Sequence, residues 1–333
     1  MKPLARALVG ATPLRRHFLA RHRQELDAGL DPDLVVLAAL DRKTGDSQVW
    51  HHTPAEARRR MCTSVIIADD PGRDLAVTVT PSRVRGAIGP LPARVYRPRD
   101  LPSAAPTLVF FHGGGWVVGD LDTHDGLCRK LAAHGRVQVI AVDYRLAPEH
   151  PYPAGLEDCY AGLRLLASLD GVRADRLAVH GLSAGGGLAA AVALLARDRG
   201  GPALCFQSLG VPEIDDRLDT PSMRAGDATP LWSRPQARKS WEHYLGGQEA
   251  DQYAAPARAE DLTGLPPAYV VTCELDPLRD EGLTYAMRML AAGVSVEVHS
   301  YPGTFHGVQI AHGTAIVERM DRELVEVLRR RLS

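Results

Sequence analysis

The chain has 333 residues, of which 45% are hydrophobic, and its 39 basic and 40 acidic side chains leave a formal net charge of -1. This near-neutral net charge does not favour binding to nucleic acid. No segment approaches the roughly 18 uninterrupted apolar residues that a membrane-spanning helix needs. Length and hydrophobic content instead predict one large α/β domain with an accessory element, or two modest domains. Because the first 14 residues also lack the hydrophobic centre of a signal peptide, we expect a cytoplasmic protein.

The first sixty residues predict three short helices ahead of the main domain. Residues 14–28 and 32–40 carry apolar side chains at helical spacing, and an aspartate and a proline mark the second start. Thr53 and Glu56 mark a third start, as N-cap and third helical residue, for a helix to about residue 61. We expect residues 1–62 to form cap helices over a pocket; the alternative is plain packing against the main domain.

Strands alternate with helices from about residue 75 onward. The predicted strands are residues 75–80, 93–98, 107–111, 137–142, 177–180, 203–209, 268–272 and 294–300. Helical stretches separate most of them, and this alternation predicts a mainly parallel sheet with helices on both faces. Residues 212–265 are too long for an ordinary connection, and we expect this insertion, with a helix at 234–245, to contribute to the cap. Residues 63–211 and 266–333 would then form the main domain.

Residues 181–185 read GLSAG and match the G-x-S-x-G pattern of a nucleophile elbow. A short apolar strand precedes this turn, and an Ala/Leu-rich helix at residues 188–195 follows it. Gly181 and Gly185 lack the bulk that would keep strand and helix apart, and Ser183 would adopt a strained backbone that exposes its hydroxyl. Glycine-rich turns are common, so this pattern alone does not separate a catalytic serine from a structural turn.

A glycine run follows the predicted strand at residues 107–111, where the chain reads HGGGW. Consecutive glycines let backbone N–H groups approach a carbonyl oxygen that becomes negative during acyl transfer. Gly113 and Gly114 would supply two such donors, and Ala184, the residue after the serine, a third. The joint occurrence of this loop and the elbow, in this order, favours an oxyanion hole over a turn needed only for topology.

A serine hydroxyl is a weak nucleophile at pH 7 and needs a base, which an acid in turn orients. Both candidates follow a predicted strand, and sites of open α/β sheets assemble at the carboxyl ends of strands. His306, alone among 13 histidines, lies in a glycine-flanked loop between the last strand and a terminal helix. Asp276 competes with Glu274 and Asp280 for the acid. We favour Asp276 because Pro277 looks like the next helix start, which leaves Asp276 in the loop.

The motifs resemble those of the hormone-sensitive lipase-like esterases, the bacterial family IV branch of the α/β-hydrolases. The matching segments are HGGGW at 112–116, DYRLAPEHPYPA at 143–154, GLSAGG at 181–186, DPLRDE at 276–281 and HG at 306–307. The resemblance spans roughly residue 75 to the end of the chain. It implies an α/β-hydrolase fold with an eight-stranded sheet and a helical cap. It also implies the triad Ser183, Asp276 and His306.

The same resemblance implies hydrolysis of short- to medium-chain carboxylic esters without any cofactor. The segment at 143–154 would be a scaffold behind the oxyanion loop rather than a source of catalytic groups. One residue departs from the family pattern, because Leu182 stands where members usually carry aspartate or threonine before the nucleophile.

Two alternatives are compatible with the same scaffold. An amidase, a lactonase or an acyltransferase of a biosynthetic pathway would form the same acyl-enzyme, so the motifs do not separate these from an esterase. A small-molecule binding protein on this scaffold, like the plant gibberellin receptors, would lack the histidine, whereas His306 is present.

The five cysteines are scattered and form no C-x-x-C pair, which predicts neither a disulfide framework nor a metal site. We expect the thiols to be reduced and buried.

The expected partner is a small-molecule ester, and the formation of a homodimer is left open.

Overall fold

The computed structural model describes residues 13–44, 52–67 and 75–333. Its strands are β1 (Val77–Arg85), β2 (Pro90–Pro98), β3 (Ala105–Phe111), β4 (Gln138–Val142), β5 (Val172–Leu182), β6 (Phe206–Gly210), β7 (Ala268–Cys273) and β8 (Val296–Tyr301). They form one sheet in the order β1-β2-β4-β3-β5-β6-β7-β8. The pairs β1/β2 and β2/β4 are antiparallel and the other five pairs are parallel. The predicted eight-stranded, mostly parallel sheet is confirmed.

Helices cover both faces of this sheet. The described helices are α1 (Pro13–Arg21), α2 (Arg23–Asp27), α3 (Val35–Thr44), α4 (Pro54–Ile67), α5 (Asp125–Gly135), α6 (Ala154–Leu166), α7 (Ala184–Asp198), α8 (Pro221–Ala225), α9 (Arg234–Leu245), α10 (Arg279–Ala291) and α11 (Ala315–Leu332). Leu108 and Phe110 of β3 pack with α5 and α11, whereas Val109 and Phe111 pack with α6 and α7 on the opposite face. Because successive strand residues face opposite sides, a strand covered on both sides is wholly buried.

The first two predicted helices have different bounds in the structure. The helix predicted at residues 14–28 is two helices, α1 and α2, because His22 between them has a ψ of 37°, outside the helical range. The start predicted at residue 32 is wrong, because α3 begins at Val35. Asp31 Oδ1 instead accepts the N–H of Asp33 at 2.8 Å, a local turn that competes with the helix.

The third helix start is confirmed, and the helix is longer than predicted. The N–H of Thr53 donates to the Glu56 carboxylate at 3.1 Å, and the N–H of Glu56 donates to Thr53 Oγ1 at 3.4 Å, which is the reciprocal pair of a capping box. Helix α4 continues to Ile67 rather than ending near residue 61. Residues 1–12 and 45–51 of the predicted cap segment, and residues 68–74 of the predicted main domain, lie outside the described residues.

The insertion contains α8, α9 and a 3-10 turn at Pro256–Arg258. Helix α9 has the bounds that the sequence predicted. None of the described helices combines the length and apolar content that crossing a bilayer requires. Cys128, Cys159 and Cys273 are buried as expected, whereas Cys205, which precedes β6 in the connection from α7, is only half-buried.

Candidate active site

The predicted elbow joins β5 directly to α7, at the carboxyl end of a central strand. Ser183 stands between them with φ 58° and ψ -125°, a backbone conformation that L residues rarely adopt. A Cβ on Gly181 would lie 2.0 Å from the carbonyl oxygen of Gly185, and a Cβ on Gly185 would lie 2.1 Å from that of Phe111. Only glycine fits at both positions, so the sequence dictates this sharp turn.

The side chains of Ser183, Asp276 and His306 meet where the loops after β5, β7 and β8 come together. Ser183 Oγ lies 2.9 Å from His306 Nε2, and His306 Nδ1 lies 2.7 Å from Asp276 Oδ2. An ionised carboxylate only accepts hydrogen bonds, so Nδ1 carries the imidazole proton and Nε2 faces the serine hydroxyl as an acceptor. All three residues are more than nine-tenths buried. These contacts have the geometry that a nucleophile, a base and an orienting acid require.

The two competing acids bind elsewhere. Glu274 Oε2 accepts the N–H of Gly303 at 2.7 Å, and Asp280 Oδ2 accepts the N–H of Ser222 at 2.7 Å. Of the three candidate acids, Asp276 is the one in contact with His306. The loop that carries it is longer than predicted, since α10 begins at Arg279 rather than at Pro277.

The glycine loop lies against the elbow. A Cβ on Gly113 would lie 2.9 Å from the Leu182 carbonyl oxygen and 3.3 Å from Ser183 Cβ, so this loop passes beside the serine. Within the described part of the chain, the N–H groups of Gly113, Gly114 and Ala184 donate to no acceptor. Unused amides next to a serine hydroxyl are the groups that an oxyanion hole requires.

Three segments of the chain hold the glycine loop in place. Tyr144 donates its hydroxyl to the His112 carbonyl at 2.8 Å, and its ring stacks on that of His112 at 4.3 Å. Ser240 of α9 donates to the Gly115 carbonyl at 2.9 Å, and Arg58 of α4 donates to the Val117 carbonyl at 2.8 Å. The loop is therefore tied to the 143–154 segment, to the insertion and to an N-terminal helix.

Two buried histidines, His112 and His180, and the half-buried His124 lie in or near this loop. Burial lowers the pKa of His112 and of His180 to about 4, and that of His124 to about 3. All three imidazoles are therefore uncharged at pH 7. A negative charge near the glycine loop would gain its stabilisation from backbone amides, not from these rings.

Leu182 has a packing role that the sequence did not reveal. The register of β5 and β6 pairs Leu182 with Gly210, and a Cβ on Gly210 would lie 2.3 Å from Leu182 Cδ2. The leucine side chain therefore occupies the space that the glycine leaves open.

Sequence analysis missed Glu213, which is fully buried against the elbow. Its N–H donates to the Ser183 carbonyl at 3.1 Å. Neither carboxyl oxygen has a hydrogen-bond partner within the described residues. Burial, reinforced by the charge of Asp276, raises the pKa of Glu213 well above its ordinary value. A carboxyl group just beyond the end of a buried strand, the signal used for Asp276, could have identified it.

We expect the Glu213→Gln variant to gain stability over the wild type as the pH rises. Between roughly pH 4.3 and the raised pKa of Glu213, the folded protein binds a proton that the unfolded chain releases, so wild-type stability falls with increasing pH. Glutamine carries no such proton. The difference in unfolding free energy should therefore grow by up to about 1.4 kcal/mol per pH unit, measured by urea unfolding from pH 5 to 7.

The Glu249→Gln change is the control for this experiment, because it makes the same substitution at an exposed carboxyl group. A stability difference for Glu213→Gln that does not grow from pH 5 to 7 would contradict a protonated Glu213 in the folded protein.

Comparison with known proteins places the chain in a class. A family model described as "alpha/beta hydrolase fold" matches residues 108–310, which is more than half of the chain. The chain belongs to the α/β-hydrolase family, and within it to the hormone-sensitive lipase-like branch that its motifs resemble.

Individual relatives cover most of the chain. Carboxylic ester hydrolase LipN of Mycobacterium tuberculosis is 38% identical over an alignment of 341 positions, which covers 97% of this chain and 89% of that protein. Esterase LipI of the same organism is 44% identical over 234 residues, 67% of this chain and 72% of that protein. Among solved structures, a bacterial heroin esterase is 40% identical with a TM-score of 0.84, covering 92% of this chain and 99% of that one.

Proposed function

We propose that this protein is a serine carboxylesterase that hydrolyses short- to medium-chain carboxylic esters through an acyl-enzyme formed on Ser183. Its enzyme class, carboxylic ester hydrolase, is shared with the relatives above. The observation that carries the proposal is the continuous hydrogen-bonded chain from Asp276 through His306 to Ser183. The serine at its end lies beside the unused amides of the glycine loop.

In the first half of the proposed reaction, Ser183 Oγ attacks the ester carbonyl carbon while His306 Nε2 takes the hydroxyl proton. Asp276 stabilises the resulting imidazolium through the 2.7 Å contact to Nδ1. The N–H groups of Gly113, Gly114 and Ala184 donate to the new oxyanion. His306 then gives the proton to the departing alkoxide, which leaves as an alcohol when its bond to the acyl carbon breaks.

The second half repeats these steps with water as the nucleophile. His306 Nε2 takes a proton from water, and the hydroxide attacks the acyl carbon. The bond from that carbon to Ser183 Oγ breaks, and the serine recovers its proton from His306. The products are a carboxylic acid and the starting enzyme, so this proposal needs no cofactor.

We further propose that residues 1–62 and 212–265 form the cap over this site. The contacts that support it come from both segments. Arg58 of α4 and Ser240 of α9 donate to the glycine loop, and the Trp232 ring lies 5.6 Å from that of His306. Leu34 and Val35 pack with Phe305, next to the base.

Covalent trapping tests the proposed nucleophile. The intact protein is treated with an aryl phosphonate ester, a reagent that a nucleophilic serine attacks, and the labelled peptide is located by mass spectrometry. We expect one label, on Ser183, with loss of ester turnover in step with labelling. The Ser183→Ala protein should take up none. A label elsewhere, or ester turnover that persists in a fully labelled protein, would contradict the assignment.

Turnover of p-nitrophenyl esters of increasing acyl length tests the proposed substrate class. We expect kcat/KM to be highest for short and medium acyl chains and to fall for long ones. A matched anilide and a lactone, measured with the same preparation, test the alternative amidase and lactonase activities, and an added alcohol tests acyl transfer. If the protein turns over the anilide or the lactone faster than the ester, or transfers the acyl group to the alcohol faster than to water, that activity would take the place of the proposed ester hydrolysis. Cell fractionation tests the predicted cytoplasmic location, and light scattering tests whether the protein forms the homodimer that the sequence leaves open.

A further inference from the structure

Helix α10, which follows the loop of Asp276, starts without a cap of its own. Its N-cap residue is Leu278, whose side chain cannot accept a hydrogen bond, although the first amides of a helix lack partners within the helix. The N–H of Asp280 donates instead to Ser222 Oγ at 3.0 Å. Ser222 belongs to α8 in the insertion, so a distant segment supplies the missing cap.

Ser222 binds this helix start at two further points. Its N–H donates to Asp280 Oδ2 at 2.7 Å, and its hydroxyl donates to the Pro277 carbonyl at 2.8 Å. The hydroxyl thus donates one hydrogen bond and accepts another. Ser222 is only 8% exposed, so little water is available to replace these contacts if they are lost.

The Pro277 carbonyl lies one residue from the acid of the triad. Asp276 Oδ1 accepts the N–H of Leu278 at 2.8 Å, so residues 276–278 form one tight turn. A Cβ on Gly226, at the end of α8, would lie 2.7 Å from Pro277 Cβ, which shows how closely the insertion packs on this turn. A displacement of Pro277 therefore moves Asp276.

We propose that Ser222 is a positioning residue that holds Asp276 at hydrogen-bond distance from His306. The insertion would thereby determine the alignment of the acid as well as cover the site. This inference rests on the proposed roles of Asp276 and His306 in ester hydrolysis.

The Ser222→Ala variant tests the inference, with Ser208→Ala as the matched control. Ser208 is a buried serine of β6 whose hydroxyl has no partner within the described chain. On a p-nitrophenyl ester we expect Ser222→Ala to lower kcat by about tenfold or more, because a small misplacement of a catalytic group is costly, while KM stays within about twofold. Ser208→Ala should leave both constants within about twofold of the wild type.

A second readout is the low-field proton NMR resonance of the His306–Asp276 hydrogen bond. It should shift or broaden in Ser222→Ala and stay unchanged in Ser208→Ala. If Ser222→Ala does not fold, Ser222→Cys keeps the size of the side chain with weaker hydrogen bonds, and the same two measurements apply.

An unchanged resonance, or a kcat within about twofold of the wild type, would overturn the inference while leaving the proposed esterase intact. A wild-type protein without ester turnover would instead overturn the proposed function. The two failures are therefore distinguishable.

Discussion

The Asp276→Asn variant should fold normally and lose about four orders of magnitude in kcat/KM toward esters. The reason lies in the second contact of this carboxyl group. Oδ1 accepts the N–H of Leu278 at 2.8 Å, so an asparagine must place its oxygen there. Its NH2 group then faces His306 Nδ1, where the carboxylate oxygen had been.

An amide donor at that position forces the wrong tautomer on the base. His306 would accept at Nδ1 and carry its proton on Nε2, which faces Ser183 Oγ at 2.9 Å. A protonated Nε2 cannot take the serine proton. The loss should therefore appear in kcat rather than in KM, in steady-state kinetics on a p-nitrophenyl ester.

The matched control for this variant is Glu274→Gln. Glu274 was a competing acid in the sequence, and its carboxylate accepts only the N–H of Gly303 among the hydrogen bonds of the described residues. A glutamine oxygen can accept the same bond, so activity should stay within about threefold of the wild type. Near-normal turnover by Asp276→Asn, or a collapse of turnover in Glu274→Gln, would require a different acid.

The Gly114→Ala variant should lower kcat by about two to three orders of magnitude. The new Cβ would lie 2.2 Å from the carbonyl oxygen of Val118, a backbone atom, so the loop must shift to admit it. Gly114 also has a φ of 123°, a conformation that alanine strongly disfavours. A displaced loop withdraws the amides of Gly113 and Gly114 from a developing oxyanion.

Gly89→Ala is the control for this loop, because a Cβ at Gly89 would meet no atom within 4 Å. Its kcat should match that of the wild type, and circular dichroism should show that both variants fold. A Gly114→Ala protein with full kcat would mean that the glycine loop does not supply the oxyanion donors.

Features encoded within a few residues could be predicted from the sequence. The capping box of Thr53 and Glu56 is one, because both partners lie in one helical turn. The choice of Ser183, Asp276 and His306 depended on the positions of single residues after strands, and parallel strands bring those positions together. An error in a predicted helix start arose where a side chain hydrogen-bonds to the nearby backbone instead. Asp31 is the example, because its side chain forms a turn where a helix start was predicted.

Contacts between distant segments could not be predicted in this way. Ser222 and Asp280 are 58 residues apart, and no spacing rule connects a serine of one helix to the start of another. Ser240 reaches the glycine loop across 125 residues of sequence. Glu213 is a third case, since the sequence places a carboxyl group after a strand but does not show that none of the described residues forms a hydrogen bond with it.

The packing of Leu182 over Gly210 has a consequence for sequence variation among relatives. A smaller or polar residue before the nucleophile would leave empty the volume that the leucine fills, since a Cβ at Gly210 would lie 2.3 Å from Leu182 Cδ2. A larger residue at position 210 would restore the lost contacts. The two positions, paired across β5 and β6, should therefore vary together, and each substitution should be tolerated better with its counterpart than alone.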